Sequence, residues 1–175
     1  MTTTTRLSEL TGDYVLDTER TRIGFVAKHR MATRVRGHFD VFEGAVRLDG
    51  ADPAASSAQI TIQAESIETG DKRRDAQLTR DFLEVATYPT ITFASTAIEH
   101  VDAARFDVTG DLCIRGTTHP VTVPFELTGT ADGVAFTARL TIDRARWRVN
   151  WNALTTFMVV PNVVLDLEVT ATPHR

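Results

Sequence analysis

The residue types that most often perform catalysis are present in this chain, but they form no recognisable catalytic pattern. No two of the five histidines have the i, i+4 spacing of a helical zinc site, and no HExxH occurs. The sequence also lacks a GxSxG nucleophile turn and the glycine-rich phosphate loops GxxxxGK[ST] and GxGxxG. Cys113 is the single cysteine, so it forms no internal disulfide, and no histidine lies near it in the sequence. We therefore predict a protein that is not an enzyme and has no metal and no cofactor.

Basic residues are concentrated in one segment that could recognise an anion. From Arg20 to His38 there are six lysines and arginines and no acidic residue. Alternation turns His29 inward and His38 outward, so we do not expect these two histidines to share a metal. His29 lies at a strand end, with Arg30 and Arg34 beside the following loop. A barrel end surrounded by these cations would attract a phosphate head group, whereas the simpler interpretation is a solvated outer strand face.

A second basic run alternates arginine with tryptophan. Arg144, Arg146 and Arg148 share one parity, and Trp147 and Trp151 lie opposite them. Such a pattern suits stacking on single-stranded nucleic acid, or a strand whose tryptophans face the core and whose arginines face water. The net charge of −4 favours the second interpretation, so we predict no nucleic-acid partner.

From residue 20 onward, apolar and polar residues mostly alternate with a period of two, which is typical of β-strands. Strands must therefore position the residues described above. About eight such runs occur, separated by turn signals such as Asp49-Gly50, Gly116-Thr117 and Asp132-Gly133. This pattern predicts an antiparallel all-β domain, either a closed barrel or a sandwich. Val41 lies at an inward position of its alternating strand, whereas the apolar Phe42 next to it would point outward. This change predicts a bulge near Asp40.

One segment has helical periodicity instead. In residues 71–86, Leu78, Phe82 and Val85 are spaced by four and three, and Asp71 precedes them as a candidate N-cap. Pro89 follows and begins the next strand. We predict a short helix inserted between strands, which would plug an end of a barrel or act as a lid.

The inward-facing positions are large and apolar, and they could line a tunnel for a long apolar chain. Small residues on the same face, such as Gly37 and Gly110, would leave room for it. The predicted lining residues are Ile23, Phe25, Phe39, Ile62, Phe93, Leu112, Phe125, Phe136 and Leu140.

Length and composition complete the domain prediction. The 175 residues suit one domain, with residues 1–13 as a flexible N-terminal tail and 14–172 as a single barrel domain. The N-terminus has no apolar stretch of signal-peptide length, and no segment has the roughly 20 apolar residues of a membrane helix. We therefore expect a cytoplasmic protein without a membrane span.

Three segments of this sequence resemble the YceI-like, polyisoprenoid-binding family. They are YVLDTERTRIGFVAKHRMATRVRGHFDVFEG, AESIETGDKRRDAQLTRDFLEVATYPTITFAST and VTGDLCIRGTTHPVTVPFEL. The resemblance runs from about Tyr14 to Ala171. It implies an eight-stranded, lipocalin-like antiparallel barrel with an elongated internal tunnel. It also implies isoprenoid ligands such as polyprenyl phosphates or quinone-like lipids, and pairing as a homodimer.

The residues and the resemblance together predict binding, storage or transport of a long isoprenoid lipid. The tail would lie along the nine apolar residues above, and an anionic head would lie near His29, Arg30 and Arg34. Two alternatives remain open at this point. One is an enzyme that acts on such a lipid through His29, and the other is a barrel with a filled core that serves in interaction or stress response.

Overall fold

The computed structural model describes the backbone of residues 7–29, 34–149 and 159–174, and the side chains of 9–27, 34–149 and 162–174. Within these residues, one short α-helix, α1 (Lys72–Gln77), accompanies eleven strands. The strands are β1 (Gly12–Leu16), β2 (Arg22–His29), β3 (Arg34–Phe39), β4 (Phe42–Leu48), β5 (Ser57–Gln63), β6 (Ile67–Glu68), β7 (Thr90–His100), β8 (Arg105–Ile114), β9 (Thr117–Gly129), β10 (Val134–Asp143) and β11 (Val159–Pro173).

The strands form one antiparallel sheet that closes on itself. Its order is β1-β4-β5-β7-β8-β9-β10-β11, and β1 pairs again with β11 to complete the ring. The first part of β11 pairs with β2, and β3 pairs with β2 in turn. Around the barrel, β1 and β2 together therefore count as one of its eight strands, and β3 and β4 together count as the next. The predicted closed eight-stranded antiparallel barrel is confirmed.

Side-chain hydrogen bonds bridge the break between β1 and β2. The buried Thr21 hydroxyl accepts from the amide of Thr170 at 3.0 Å and donates to its carbonyl at 3.1 Å. The Asp17 amide donates to the same carbonyl at 2.8 Å. The Arg20 side chain donates to the Asp17 carboxylate at 2.8 Å, and this hydrogen bond lowers the pKa of the Asp17 carboxyl. Both strands thus remain attached to β11 although the chain leaves the sheet between them.

The break between β3 and β4 falls where the parity of the sequence changes. Strand β3 ends at Phe39 and β4 begins at Phe42, with a bend at Asp40. Val41 is 55% exposed, whereas Phe42 is buried. The inward position predicted for Val41 is therefore wrong. The bend shifts the inward face by one residue, because a one-residue slip reverses every side chain of a strand.

The predicted helix is present but shorter than its periodicity indicates. Helix α1 begins after Asp71, whose carboxylate accepts from the amides of Arg73 and Arg74 at 3.0 and 3.2 Å. A π-helical turn over Leu78–Phe82 follows. Leu78, Leu83 and Val85 pack against the main apolar cluster, so this segment plugs one end of the barrel. We call this the helical end, which also carries the β8–β9 turn and the residues after β10.

The opposite end, which we call the loop end, is formed by a 3₁₀ turn (Leu7–Leu10) and the connections 49–56, 101–104 and 130–133. Leu10 is 8% exposed, and Gly12 already belongs to β1. The barrel domain therefore includes residues that the sequence analysis assigned to the tail. Within the described residues, no helix has the length and apolar character needed to cross a membrane.

Two inward glycines accommodate aromatic rings from neighbouring strands. Gly37 lies directly opposite Phe25, and a Cβ at Gly37 would overlap that ring. A Cβ at Gly110 would lie 2.6 Å from the ring of Phe93 and 2.5 Å from the carbonyl oxygen of Ala94. The space that these glycines were expected to leave for a ligand is therefore filled by the protein's own aromatic rings.

We expect Gly110→Ala to destabilise the barrel by about 1–3 kcal/mol, because the new methyl group displaces both a ring and a backbone carbonyl. Urea unfolding followed by far-UV circular dichroism measures the change. Gly129→Ala is the matched control, since its Cβ would make only an ordinary 3.7 Å contact with Ala135. Equal stability of the two variants would contradict this packing.

Candidate functional site

The inward face of the barrel brings together the nine residues predicted to line a lipid tunnel. Ile23, Ile62 and Leu112 are buried. The other six are partly buried and pack against the same apolar clusters, and they are Phe25, Phe39, Phe93, Phe125, Phe136 and Leu140. Because Phe93 packs against both the cluster of the helical end and that of the loop end, the apolar interior is continuous along the barrel. Their contact with a ligand stays a prediction.

A cavity of about 90 Å³ opens within this interior at the loop end. Two of the predicted tunnel residues, Phe125 and Phe136, line it, and their rings meet edge to face at 6.2 Å. The apolar residues that complete its lining are Leu10, Val46, Leu48, Pro53, Ala58, Ile98, Phe106, Val108, Leu127 and Val169. An apolar lining of this kind offers water almost no hydrogen-bond partners.

Several of these lining residues were absent from the predicted site. Phe106 and Val108 show the same alternation as Leu112 on β8, so parity alone could have added them. Leu10 had no such signal, because it precedes the first strand and approaches the cavity only through the turn that contains it. The Tyr14 hydroxyl donates to the Leu10 carbonyl at 2.7 Å and fixes this turn. Burial raises the pKa of the Tyr14 phenol, which keeps it protonated as a donor.

The polar edge of the cavity is ordered by its own hydrogen bonds. Asp49, Gly50 and Ser56 lie there, on the β4–β5 connection. The Ser56 hydroxyl accepts from the Asp49 amide at 2.9 Å, and the Gly50 amide donates to the Thr11 hydroxyl at 2.9 Å. These bonds tie the connection to the segment before β1, so the shape of this edge exists before any ligand arrives.

The helical end is filled rather than open in the described residues. Trp147 is 0% exposed, and its indole N–H donates to the Leu112 carbonyl at 2.8 Å. Its ring packs with Leu83, Ile91 and Ile114 in one apolar cluster. The expectation that Trp147 faces the core is correct.

The arginines beside Trp147 do not all face water. Strand β10 ends at Asp143, and a 3₁₀ turn (Arg144–Trp147) replaces the expected strand. Arg144 is only 6% exposed, and its guanidinium donates to the Val149 carbonyl. Burial lowers its pKa from the ordinary arginine value, although arginine stays charged at neutral pH. Trp151, the other predicted core tryptophan, lies outside the described residues.

Of the three predicted head-group residues, Arg34 lies away from the cavity, and the side chains of the other two are not among the described residues. His29 ends β2 opposite Val159, and its side chain is not among those described; Arg30 is also outside the described residues. Arg34 begins β3 opposite Lys28, and its side chain is exposed. Arg34 does not line the cavity at the loop end. Recognition of an anionic head by this group stays a prediction.

A separate cluster of ligating groups lies on the outer surface. His38 and Glu68 are paired across β3 and β6, and Asp40 follows at the bend. The His38 Nε2 atom lies 2.8 Å from an Asp40 carboxylate oxygen and 3.8 Å from one of Glu68. These atom types could hold a divalent cation, but both carboxylates are exposed and the cluster does not reach the barrel interior. The hydrogen bond with Asp40, and the repulsion between the two carboxylates, raise the pKa of Glu68.

We expect Glu68→Gln to raise the free energy of unfolding at pH 7. Because the Glu68 pKa is raised by folding, the native state loses stability as pH rises above the usual glutamate range. The amide removes this penalty, so the advantage of the variant disappears at pH 4. Urea midpoints at both pH values measure it, with the exposed Glu43→Gln as control. A variant equally stable with wild type at both pH values would contradict the repulsion.

Comparison with known proteins agrees with this architecture. The family model described as YceI-like domain matches residues 14–171. Protein YceI of Escherichia coli O157:H7 is 36% identical over 128 residues, covering 71% of this chain and 66% of that protein. A UPF0312 protein of Azotobacter vinelandii is 32% identical over 123 residues, covering 69% and 64% respectively. The chain thus matches slightly less than two thirds of the length of these curated relatives.

Two solved structures share the barrel. BcnA of Burkholderia cenocepacia superposes with a TM-score of 0.83 at 31% identity, covering 90% of this chain and 99% of BcnA. A polyisoprenoid binding domain from Saccharophagus degradans, implicated in plant cell wall breakdown, gives 0.74 at 18% identity, covering 92% and 98%. The second likeness shows the fold alone. Since the family match extends over nearly all of the barrel, the chain belongs to the YceI-like domain family.

Proposed function

We propose that this protein binds a long isoprenoid lipid, with the apolar chain inside the barrel, and that it stores or transports the lipid without transforming it. The observation that carries the proposal is the cavity at the loop end, whose apolar lining continues into the inward-facing aromatic residues. The polyisoprenoid-binding domain of Saccharophagus degradans, which shares the fold, supports the same ligand class. A cytoplasmic location and a homodimer stay predictions.

The size of the cavity determines how a long chain would be held. About 90 Å³ is well below the roughly 300–1,000 Å³ of typical small-molecule sites, so the cavity admits the first part of a chain only. The rings of Phe125 and Phe136 line the cavity, and Phe93 packs against both their cluster and that of the helical end. Rotation of these rings would lengthen the cavity toward the helical end. Each buried CH₂ then contributes about 0.8 kcal/mol, reduced by the cost of ordering the chain.

The proposal is tested by native mass spectrometry of protein purified directly from cells. We expect a bound lipid of isoprenoid mass, and we expect Ala58→Phe to lower its occupancy strongly, because Ala58 lines the cavity and the ring would fill it. Ala94→Phe, on the exposed outer face of β7, is the control for added bulk. A bare chain in both wild type and control would instead support the filled-core alternative.

The same samples test the enzymatic alternative. Lipid extracted after prolonged incubation with the protein is expected to be chemically unchanged, as measured by liquid chromatography and mass spectrometry. Conversion of the lipid that is lost in His29→Ala, while binding persists, would replace storage or transport by catalysis.

A further inference from the structure

A histidine and two carboxylates converge on the outer surface where β3 meets β6. His38 lies opposite Glu68 in the pairing of these strands, and Asp40 follows at the bend after β3. One ligating atom of each residue lies within 4.8 Å of the ligating atoms of the other two. Strand pairing brings Glu68 to this place from a distant part of the sequence, so residue spacing alone gave no sign of the cluster.

The two carboxylates of this cluster have no strongly basic partner. Within the part of the chain that the structure describes, neither Asp40 nor Glu68 forms an ion pair with a lysine or arginine, whereas Asp17 and Asp166 each do. The Nε2 atom of His38 can donate a single hydrogen bond. It lies 2.8 Å from the carboxylate of Asp40 and 3.8 Å from that of Glu68. Two adjacent negative charges are therefore left without a matching positive charge.

The separations in the cluster suit a small divalent cation. Zn²⁺ binds an imidazole nitrogen and a carboxylate oxygen at about 2.0–2.2 Å, so two ligands of a tetrahedral ion are about 3.4 Å apart. The distances from His38 to the two carboxylates lie on either side of this value. The Asp40 and Glu68 side chains are 53% and 55% exposed, so they can rotate to close on an ion, and water can supply a fourth ligand.

The donor types select among cations. An imidazole nitrogen suits Zn²⁺ and the neighbouring transition metals, whereas Mg²⁺ and Ca²⁺ prefer oxygen ligands alone. His38 therefore favours a transition metal at a place where two carboxylates by themselves would not discriminate.

The backbone on both sides of the cluster is held by hydrogen bonds of its own. The Asp40 amide donates to the Ser66 carbonyl at 3.2 Å. The Ser66 hydroxyl accepts from the Val41 amide at 3.0 Å and donates to the Gln63 carbonyl at 2.7 Å. These bonds join the bend after β3 to the turn before β6, so the backbones that carry the three side chains are in place before an ion arrives.

The cluster is connected to the helical end through the residue after Glu68. The amide and hydroxyl of Thr69 donate to the Asp75 carboxylate at 3.0 and 2.5 Å. The Arg74 guanidinium donates to the hydroxyl and the carbonyl of Thr69, each at 2.8 Å. Asp75 and Arg74 belong to α1, which begins the segment that plugs the helical end. An ion held by Glu68 would therefore also restrain the entry into α1.

We propose that His38, Asp40 and Glu68 bind a divalent transition-metal cation of the Zn²⁺ type, and that this ion fastens β6 and the start of α1 to the barrel wall. The ion attracts both carboxylates and so replaces their mutual repulsion by two favourable contacts. The site lies on the outer surface, so the proposal goes beyond the proposed function and does not depend on lipid binding.

Isothermal titration calorimetry of the full chain, without an affinity tag and freed of metal with EDTA, tests the binding. We expect one Zn²⁺ ion per chain and no comparable binding of Mg²⁺. At a tenfold excess of Zn²⁺ over its dissociation constant, we expect the melting temperature to rise by about 3–6 °C, because an ion that binds only the folded state stabilises it.

Single substitutions assign the binding to the cluster. His38→Gln, Asp40→Asn and Glu68→Gln each remove one ligand, and we expect each to weaken Zn²⁺ binding at least about tenfold, the loss that even outer partners of a metal site produce. His174→Gln and Glu43→Gln, both exposed and outside the cluster, are the matched controls and leave the affinity unchanged. Circular dichroism in EDTA verifies that every variant is folded.

Hydrogen exchange of residues 66–75 tests the fastening of β6 and α1. Saturating Zn²⁺ is expected to slow exchange in this segment of the wild type and to leave it unchanged in Glu68→Gln. Absence of Zn²⁺ binding in the wild type, or binding of equal affinity in all three ligand variants, overturns the metal site. Binding that leaves exchange in 66–75 unchanged overturns the fastening. None of these results alters the test of isoprenoid binding, which is made on the barrel interior.

Discussion

The closure of the sheet by β11 is the constraint on which the rest of the structure depends. This strand pairs with β10 along one side and with both β1 and β2 along the other. A closed sheet has no unpaired edge, and it turns one face of every strand toward a common axis. Water then reaches the interior only through the two ends. The hydrogen bonds between Thr21 and Thr170 are therefore more than local turn contacts, since they keep the interrupted strand in the ring.

Once the barrel is closed, its width leaves the interior close to full. An eight-stranded barrel is just wide enough either to be filled by its own side chains or to hold one slender ligand. In this protein most of the interior is filled, and a cavity remains at one end of the same axis. Phe25 and Phe93 pack over Gly37 and Gly110 and occupy the space that the glycines leave, whereas an apolar cavity remains at the loop end. The glycines thus serve packing between strands, and the cavity lies where the strands end.

The two ends give the barrel a direction. Trp147 and the segment after α1 close the helical end with apolar packing and one indole hydrogen bond. In the described residues, the loop end is formed by the turn that carries the buried Leu10 and by short connections, with hydrogen bonds around Asp49 and Thr11. Hydrophobic burial has no direction and favours any apolar chain, so it accounts for binding and not for ligand identity.

Local patterns along the chain predicted the all-β architecture, most of the inward residues and the position of the helical insertion. They did so because alternation with a period of two, helical spacing and an N-cap such as Asp71 are local properties of the chain. They also placed Trp147 in the core. They did not reveal that Val41 turns outward, that Arg144 is buried, or that Leu10 completes the cavity. Those features depend on a bend, a 3₁₀ turn and the packing of segments distant in the sequence. Which end of the barrel is filled, and which groups surround the remaining cavity, depend on contacts between distant segments, because strand register and closure bring those groups together.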